Sequence, residues 1–361
     1  MKTVIAGASV VTPGGLLPHA AVLCDGDSID RVVPDGGELP EADVTIDASG
    51  LVLAPGFIEL QVNGGFGVDL TSTPDSIWTL GARLVEFGIT AFLPTIISSP
   101  PEVARSGQAV IVSGEPDGYR GASALGLHLE GPFLSPAKRG AHPVECLRTP
   151  SQEEIERWWP AEGVAMVTLA PDLPGAVELT RELTARGIVV AAGHSAAEFE
   201  AGIAAIDAGV RYGTHLFNAM SGLDHRAPGL AAALLSDKRA IVGMIVDGAH
   251  IHPEMIRMVW RLVGPVRVSL ISDAMAGLGM GCGRFPLGEH DVLVAGGSAR
   301  LEDGTLAGSV VSLDTALRNL VAITGCDLVA AIGAVTSVPT RLLGLTDRGW
   351  SPPAGARTSC C

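Results

Sequence analysis

Past residue 50 the chain alternates short apolar, β-branched runs with stretches whose apolar positions recur at helical spacing, the pattern of parallel βα units. Eight runs read as strands, over 51–60, 90–96, 124–129, 164–170, 188–192, 212–216, 241–246 and 266–271. Helices are predicted at 74–87, 174–185, 196–208 and 253–263, several opened by proline in the first turn and closed by Gly88, Gly187, Gly209 or Gly264. Eight strands alternating with helices predict an α/β fold of the (β/α)8 TIM-like barrel type. A doubly wound open sheet usually has fewer strands and a glycine-rich phosphate turn after the first, for which Gly64-Gly65-Phe66-Gly67 is too loose a match. Residues 1–50 read differently, as short strands at 4–11, 20–24 and 44–46 separated by Pro13-Gly14-Gly15, Asp25-Gly26 and Pro34-Asp35-Gly36-Gly37, a small antiparallel β unit. The expected division is a small β domain at 1–50, a barrel at 51–345 and a tail at 346–361.

Composition narrows the partners. With 24 basic against 39 acidic residues the formal charge is −15, and no Lys/Arg run offsets it, so nucleic acid is an unsuitable partner and a small molecule the better one. A 47% hydrophobic and only 17% charged chain excludes disorder. No apolar run approaches the roughly 18 to 20 residues that span a bilayer, so no membrane partner is expected. The opening segment from Met1 to Val11 reads as a strand and turn rather than a signal peptide, and a cytoplasmic location is expected. The six cysteines show no CxxC spacing, which suits reduced thiols.

In a barrel of this kind the chemistry projects from the C-terminal strand ends. There the chain places Glu130, His194 and His215, one carboxylate and two histidines from three strands, which matches the three-ligand shell of a catalytic Zn²⁺. His128 alternates onto the same face as Glu130 and competes for the ligand role. Asp273, at the end of the eighth run, is placed as general base and acid for the hydrolytic water. His142 and Arg226 sit in loops as further polarising or cationic groups, arginine being suited to capture of phosphate or carboxylate.

Taken together, Pro55-Gly56-Phe57-Ile58-Glu59, Leu129-Glu130-Gly131-Pro132-Phe133, Gly193-His194-Ser195, His215-Leu216-Phe217-Asn218-Ala219-Met220, Asp247-Gly248-Ala249-His250 and Ser272-Asp273-Ala274-Met275 resemble the N-acetylglucosamine-6-phosphate deacetylases of the amidohydrolase superfamily. The resemblance covers almost the whole chain in order. It implies that Glu130, His194 and His215 bind a divalent metal, that Asp273 is the base and acid, and that His142 polarises the acetamide carbonyl. It further implies that Asn218, Ala219, Arg226 and His250 hold the sugar phosphate, with Ala141 and the Leu306-Ala307-Gly308 turn lining the pocket. Many relatives carry a His-x-His pair where this chain has Gln61-Val62-Asn63, and amides are weak ligands, so one metal per chain is expected: zinc by ligand softness, with iron or another first-row ion compatible. A homodimer or higher homo-oligomer is implied, with Arg226 serving a neighbouring site. Another amidohydrolase, acting on a cyclic amide or a different N-acyl amino sugar, and an inactive sugar-phosphate-binding protein are the alternatives at this point.

Relatives end in a stretch like Gly-x-x-Ala-Asp-Leu-Val. One set of codons for Ala356-Arg357-Thr358-Ser359-Cys360-Cys361, shifted by two bases, reads Ala-Asp-Leu-Val-Leu. A frameshift near Trp350 is therefore expected. It would leave the small β-sandwich domain built mainly from the N-terminus, its closing C-terminal strands missing, and lower stability rather than alter chemistry.

Overall fold

The computed structural model of the chain describes residues 1–349 and the backbone of Thr358–Ser359. A small sheet forms first, from β1 (Lys2–Thr12), β2 (Gly15–Asp25), β3 (Ser28–Val33), β4 (Val44–Asp47) and β5 (Val52–Leu53). β1 and β2 pair antiparallel, while β4 and β5 add parallel to β1. The sheet packs on both faces: Ala8, Val10, Ala20 and Val22 form one apolar cluster, and Val4, Ala21, Leu23 and Val33 the other. Adjacent residues of β2 thus face opposite clusters, as the two-residue period of a strand requires. The Thr358–Ser359 backbone pairs antiparallel with Ile29 and Ser28 at the sheet edge. The expected frameshift falls, for 350–357 and 360–361, outside the described residues.

The eight runs beyond residue 50 supply the strands of a nearly closed parallel barrel, the first only from Phe57 because Val52–Leu53 joins the small sheet: β6 (Phe57–Val62), β7 (Ile89–Ile97), β8 (Leu127–Glu130), β9 (Val164–Leu169), β10 (Val189–Ala192), β11 (Tyr212–Gly213), β12 (Ile241–Met244) and β13 (Val268–Leu270). Each pairs in parallel with the next, from β6 on β7 round to β12 on β13. No ladder joins β13 back to β6. That seam is bridged at one end by Ile58 N–H to Val335 O (2.8 Å) and Leu270 N–H to Ala334 O (3.0 Å), and at the other by Asp273 N–H to Gln61 O (3.0 Å) and Asn63 N–H to Ala274 O (2.8 Å).

The helices form as their spacing predicts. The helix Pro253–Val263 begins with proline in its first turn, is capped by the His252 side chain accepting from Glu254 N–H, and buries Ile256, Val259 and Val263 on one stripe. Burying each such aliphatic side chain contributes about 1.5–3 kcal/mol. Inside the barrel Leu93, Met166 and Tyr212 belong to one buried apolar cluster. Two residues further along the same strands and chain, Thr95, Thr168 and Thr214 are buried as well, so the interior turns from apolar to polar toward the C-terminal mouth.

One element lies outside the sequence reading. After β13 the chain inserts a three-stranded antiparallel sheet, β14 (Gly283–Leu287), β15 (His290–Ala295) and β16 (Ser298–Arg300). Its signal is brief: Val292 and Val294 are buried on alternate positions, and glycines with positive φ, Gly288, Gly296 and Gly297, make the turns. Among the described residues no helix is long and apolar enough to cross a membrane.

Candidate active site

Glu130 ends β8, His194 follows β10, His215 follows β11 and Asp273 follows β13, so parallel topology alone carries these side chains to one mouth. All are nearly buried, at 3%, 4%, 4% and 8% exposure. His194 (φ +47°), His215 (φ +29°) and Asp273 (φ +48°) also hold left-handed backbone, an uncommon state for residues with a Cβ. Such strain persists only where surrounding structure over-determines it, and it gathers at functional sites.

The ligand atoms converge. Glu130 Oε1 lies 3.2 Å from His194 Nε2 and 2.9 Å from His215 Nε2, and the two Nε2 atoms are 3.0 Å apart. His194 Nδ1–H donates to Lys138 O at 2.9 Å, which leaves Nε2 with a lone pair aimed at a carboxylate oxygen. Lone pairs pointed at one another repel unless a cation lies among them. The spacing is close to the edges of a tetrahedron around an ion about 2.0–2.2 Å from each atom. The carbonyl behind His194 is the kind of partner that fixes a ligand's tautomer. The residues therefore fit a divalent metal, and among the described residues they form a cluster of metal-binding type, Glu130, His194 and His215.

The charges agree with that fit. Burial alone would raise the Glu130 carboxyl, but the polar environment of the His142, His194 and His215 rings outweighs it and holds the carboxyl well below the carboxylate range. Burial pushes His194 down to about 4, with His142 adding to the effect, so it stays neutral as a ligand must. Burial and repulsion from Glu130 push Asp273 up to about 6, against the opposing pull of His215 and His250.

His128 lies outside the Glu130, His194 and His215 cluster. Its Nδ1 is 3.1 Å from Leu60 O and its Nε2 is 2.8 Å from Thr168 Oγ1, which meets Thr214 Oγ1 at 2.7 Å. Both ring nitrogens are thus spent in a cross-link within the barrel, and burial lowers its pKa to about 4. His142 comes from its loop to the rim of the cluster, with Nε2 3.7 Å from Glu130 Oε2. Its Nδ1 accepts the Ser98 N–H at 3.2 Å. That bond places the ring proton on Nε2, the nitrogen facing the cluster. Ser98 reaches His142 because Gly131, across from it, has no side chain: a Cβ there would fall 2.2 Å from Ser98 Oγ.

A cavity of about 350 Å³ covers the cluster, within the size of small-molecule sites. Besides Glu130, His194, His215, His142 and Asp273, its lining includes Asn63, Lys138, Ala141, Asn218, Ala219, His250, Leu306 and Gly308. Ala307 lies between the last two but is 1% exposed and packs in the cluster of the inserted sheet, its N–H on Ala299 O. Arg226 does not line the cavity; it stands in an exposed loop, 222–228, with its backbone N–H on Asp224 Oδ1. His250 is fixed by Asp247, whose Oδ2 lies 2.7 Å from His250 Nδ1 while Oδ1 accepts the Ala249 and His250 N–H groups.

Gln61 and Asn63 are legible in the sequence only as poor ligands, yet both hold Asp273. Asn63 Nδ2 donates to Asp273 Oδ1 at 2.7 Å, and Gln61 Nε2 donates to the same oxygen at 3.2 Å and to Glu130 Oε1 at 2.9 Å. Their amide oxygens are buried without partners. Ser98 carries no pattern of its own that would mark it in a single sequence, and Asp247 stands in the Asp247-Gly248-Ala249-His250 stretch without a role of its own being legible there.

Comparison with known proteins adds a relationship to this geometry. Residues 52–349 match the amidohydrolase family. Human N-acetylglucosamine-6-phosphate deacetylase is 42% identical over 320 residues, covering 84% of this chain and 77% of its own length. The N-acetylgalactosamine-6-phosphate deacetylase of Escherichia coli O157:H7 is 35% identical over 349 residues, covering 96% and 90%. Among solved structures, N-acetylglucosamine-6-phosphate deacetylase from Pasteurella multocida superimposes with a TM-score of 0.91 at 29% identity, covering 98% of this chain and 93% of that one. A mutant of the Mycobacterium smegmatis enzyme in complex with N-acetyl-D-glucosamine-6-phosphate gives 0.89 at 35% identity, covering 99% and 93%.

Proposed function

Since the chain belongs to the amidohydrolase family, and within it to the N-acetylglucosamine-6-phosphate deacetylases, we propose that it is a metal-dependent hydrolase that converts N-acetylglucosamine 6-phosphate to glucosamine 6-phosphate and acetate. The observation that carries the chemistry is the convergence of Glu130, His194 and His215 beside a buried Asp273.

Glu130, His194 and His215 would hold one divalent ion, zinc by preference of a mixed N/O set, and that ion supplies Lewis-acid polarisation of a carbonyl and acidification of water. Gln61 and Asn63 turn their N–H groups, not their oxygens, toward the carboxylates, which argues against a second ion at the end of β6. Asp273 Oδ1 is occupied by those amides, so Oδ2 is the atom that takes the proton of the attacking water and passes it to the amine nitrogen as the C–N bond breaks. His142 donates its Nε2–H to the acetyl oxygen, a bond that strengthens as negative charge develops there. His142→Gln is accordingly expected to lower kcat by about 100-fold while KM moves less than about threefold, as steady-state acetate release would measure. An equal loss through KM alone would remove the residue from the transition state.

His250, Asn218 and Ala219 are assigned to the sugar, with Ala141, Leu306 and Gly308 as walls. Ala307 supports that wall from behind. Lys138 is a cationic side chain at this chain's own cavity, while Arg226 is exposed and outside it. Arg226 is assigned to the phosphate of a neighbouring copy's site, in a cytoplasmic homodimer or higher homo-oligomer. Mixing and reassociating an Arg226→Ala protein with an inactive His215→Ala protein should then regain activity, since some mixed sites receive both intact residues. No regain in a verified mixed oligomer would return Arg226 to the surface.

A further inference from the structure

The barrel has one weak line, the seam where no ladder joins β13 to β6, and Asp273 stands on it. Glu59 lies in that seam, fully buried at 0% exposure. Its two carboxyl oxygens accept from the two sides: Oε1 from Gln61 N–H on β6 at 3.1 Å, and Oε2 from Ser272 N–H, just past β13, at 3.0 Å. Around it, Asp273 N–H reaches Gln61 O at 3.0 Å and Ser309 N–H reaches Asp273 O at 2.7 Å, which together hold the φ of +48° at Asp273. Two residues further toward the mouth on β6, on the same face, Gln61 is the one whose side chain meets Asp273 and Glu130. Glu59 thus fixes the backbone of both partners, the base through Ser272 and its amide holder through Gln61.

We propose that Glu59 is a positioning residue for Asp273, its carboxyl replacing the missing ladder bond between the first and eighth strands directly below the base. The metal-binding cluster stands on other strands, with Glu130, His194 and His215 at or past the ends of β8, β10 and β11, and the one link to it from Glu59 runs through Gln61 Nε2 to Glu130 Oε1. The proposal rests on the reading of Asp273 as the base.

Burial pushes the Glu59 carboxyl up to about 8, so near neutrality it is largely the neutral acid, whose two oxygens still both accept. Glu59→Gln keeps the volume but puts an NH2 donor in place of one of them, so one of the two N–H groups loses its partner. Expected is a fall in kcat of about 10–100-fold, the scale of a misplaced catalytic group, with KM within about threefold. Metal per chain by elemental analysis and affinity for glucosamine 6-phosphate by calorimetry should stay unchanged. In an Asp273→Asn background the same substitution should alter the residual turnover less than about twofold, since a residue acting through the base adds nothing once the base is gone. Ser272→Ala, which deletes the hydroxyl that caps Ala274 N–H at 3.2 Å, tests the same seam should Glu59→Gln not fold, with a smaller fall in kcat and the same insensitivity in the Asp273→Asn background. A kcat within about twofold of wild type, or losses that multiply in the double variant, would overturn the proposal. Near-wild-type turnover by Asp273→Asn alone would instead overturn the reading on which it rests.

Discussion

Replacing Asp273 by Asn is expected to lower kcat by about 10³-fold or more, while metal content and affinity for glucosamine 6-phosphate stay near wild type. The variant isolates basicity from shape. Asn retains the side-chain oxygen that accepts from Asn63 and Gln61, so the end of β13 keeps its geometry, but the atom that should take the water's proton becomes an N–H donor. The pH dependence follows from the same carboxyl. Burial and the neighbouring Glu130 charge push Asp273 up to about 6, and only its ionised form is a base. Activity should therefore rise with pH along an acid limb and then level off, falling about tenfold per unit below that limb. A cation among Glu130, His194 and His215 offsets the repulsion and moves the limb down from about 6. The Asn variant should lose the limb together with the rate. A rate that increased on acidification would contradict the assignment.

The second large effect is expected from His215→Ala. The ring supplies one of three converging ligand atoms, and its Nε2 is 2.9 Å from Glu130 Oε1. Truncation leaves Glu130 and His194 as the only ligands, too few for a catalytic site of this type. Metal per chain should fall from one to a small fraction. kcat/KM should fall by at least about 10³-fold, because Lewis-acid stabilisation contributes several kcal/mol to the transition state. Added metal should restore little. Wild-type metal content in the purified variant would mean that other residues hold the ion.

Much of this site is readable because parallel barrels sort residues by position along the strand. Glu130, His194, His215 and Asp273 all follow apolar runs, and the fold does the rest. What a single sequence leaves open is depth. His128 and Glu130 share a face, and strand parity cannot separate them; only the Thr168 and Leu60 contacts show that His128 is two residues too deep and already bonded. Gln61 and Asn63 are read only as poor ligands, whereas their contacts with Asp273 run through the amide hydrogens, which no ligand-spacing argument considers. Glu59 escapes because its partners are backbone N–H groups, one of them 213 positions away in the chain. The Leu306-Ala307-Gly308 turn divides for a similar reason: the turn reaches the cavity, but the side between, Ala307, faces the inserted sheet that the short 283–300 pattern did not reveal.

Acetate release from N-acetylglucosamine 6-phosphate by the purified protein, before chelation, after it and after metal readdition, tests the account most directly. N-acetylgalactosamine 6-phosphate and unphosphorylated N-acetylglucosamine serve as parallel substrates. The account predicts one acetate per glucosamine 6-phosphate formed, release that stops on chelation and returns with a divalent metal, and turnover at least about 10²-fold slower without the phosphate, as expected when remote binding energy is removed. Release that continues unchanged after complete removal of the metal, or no release at all from the metal-loaded protein, would contradict it.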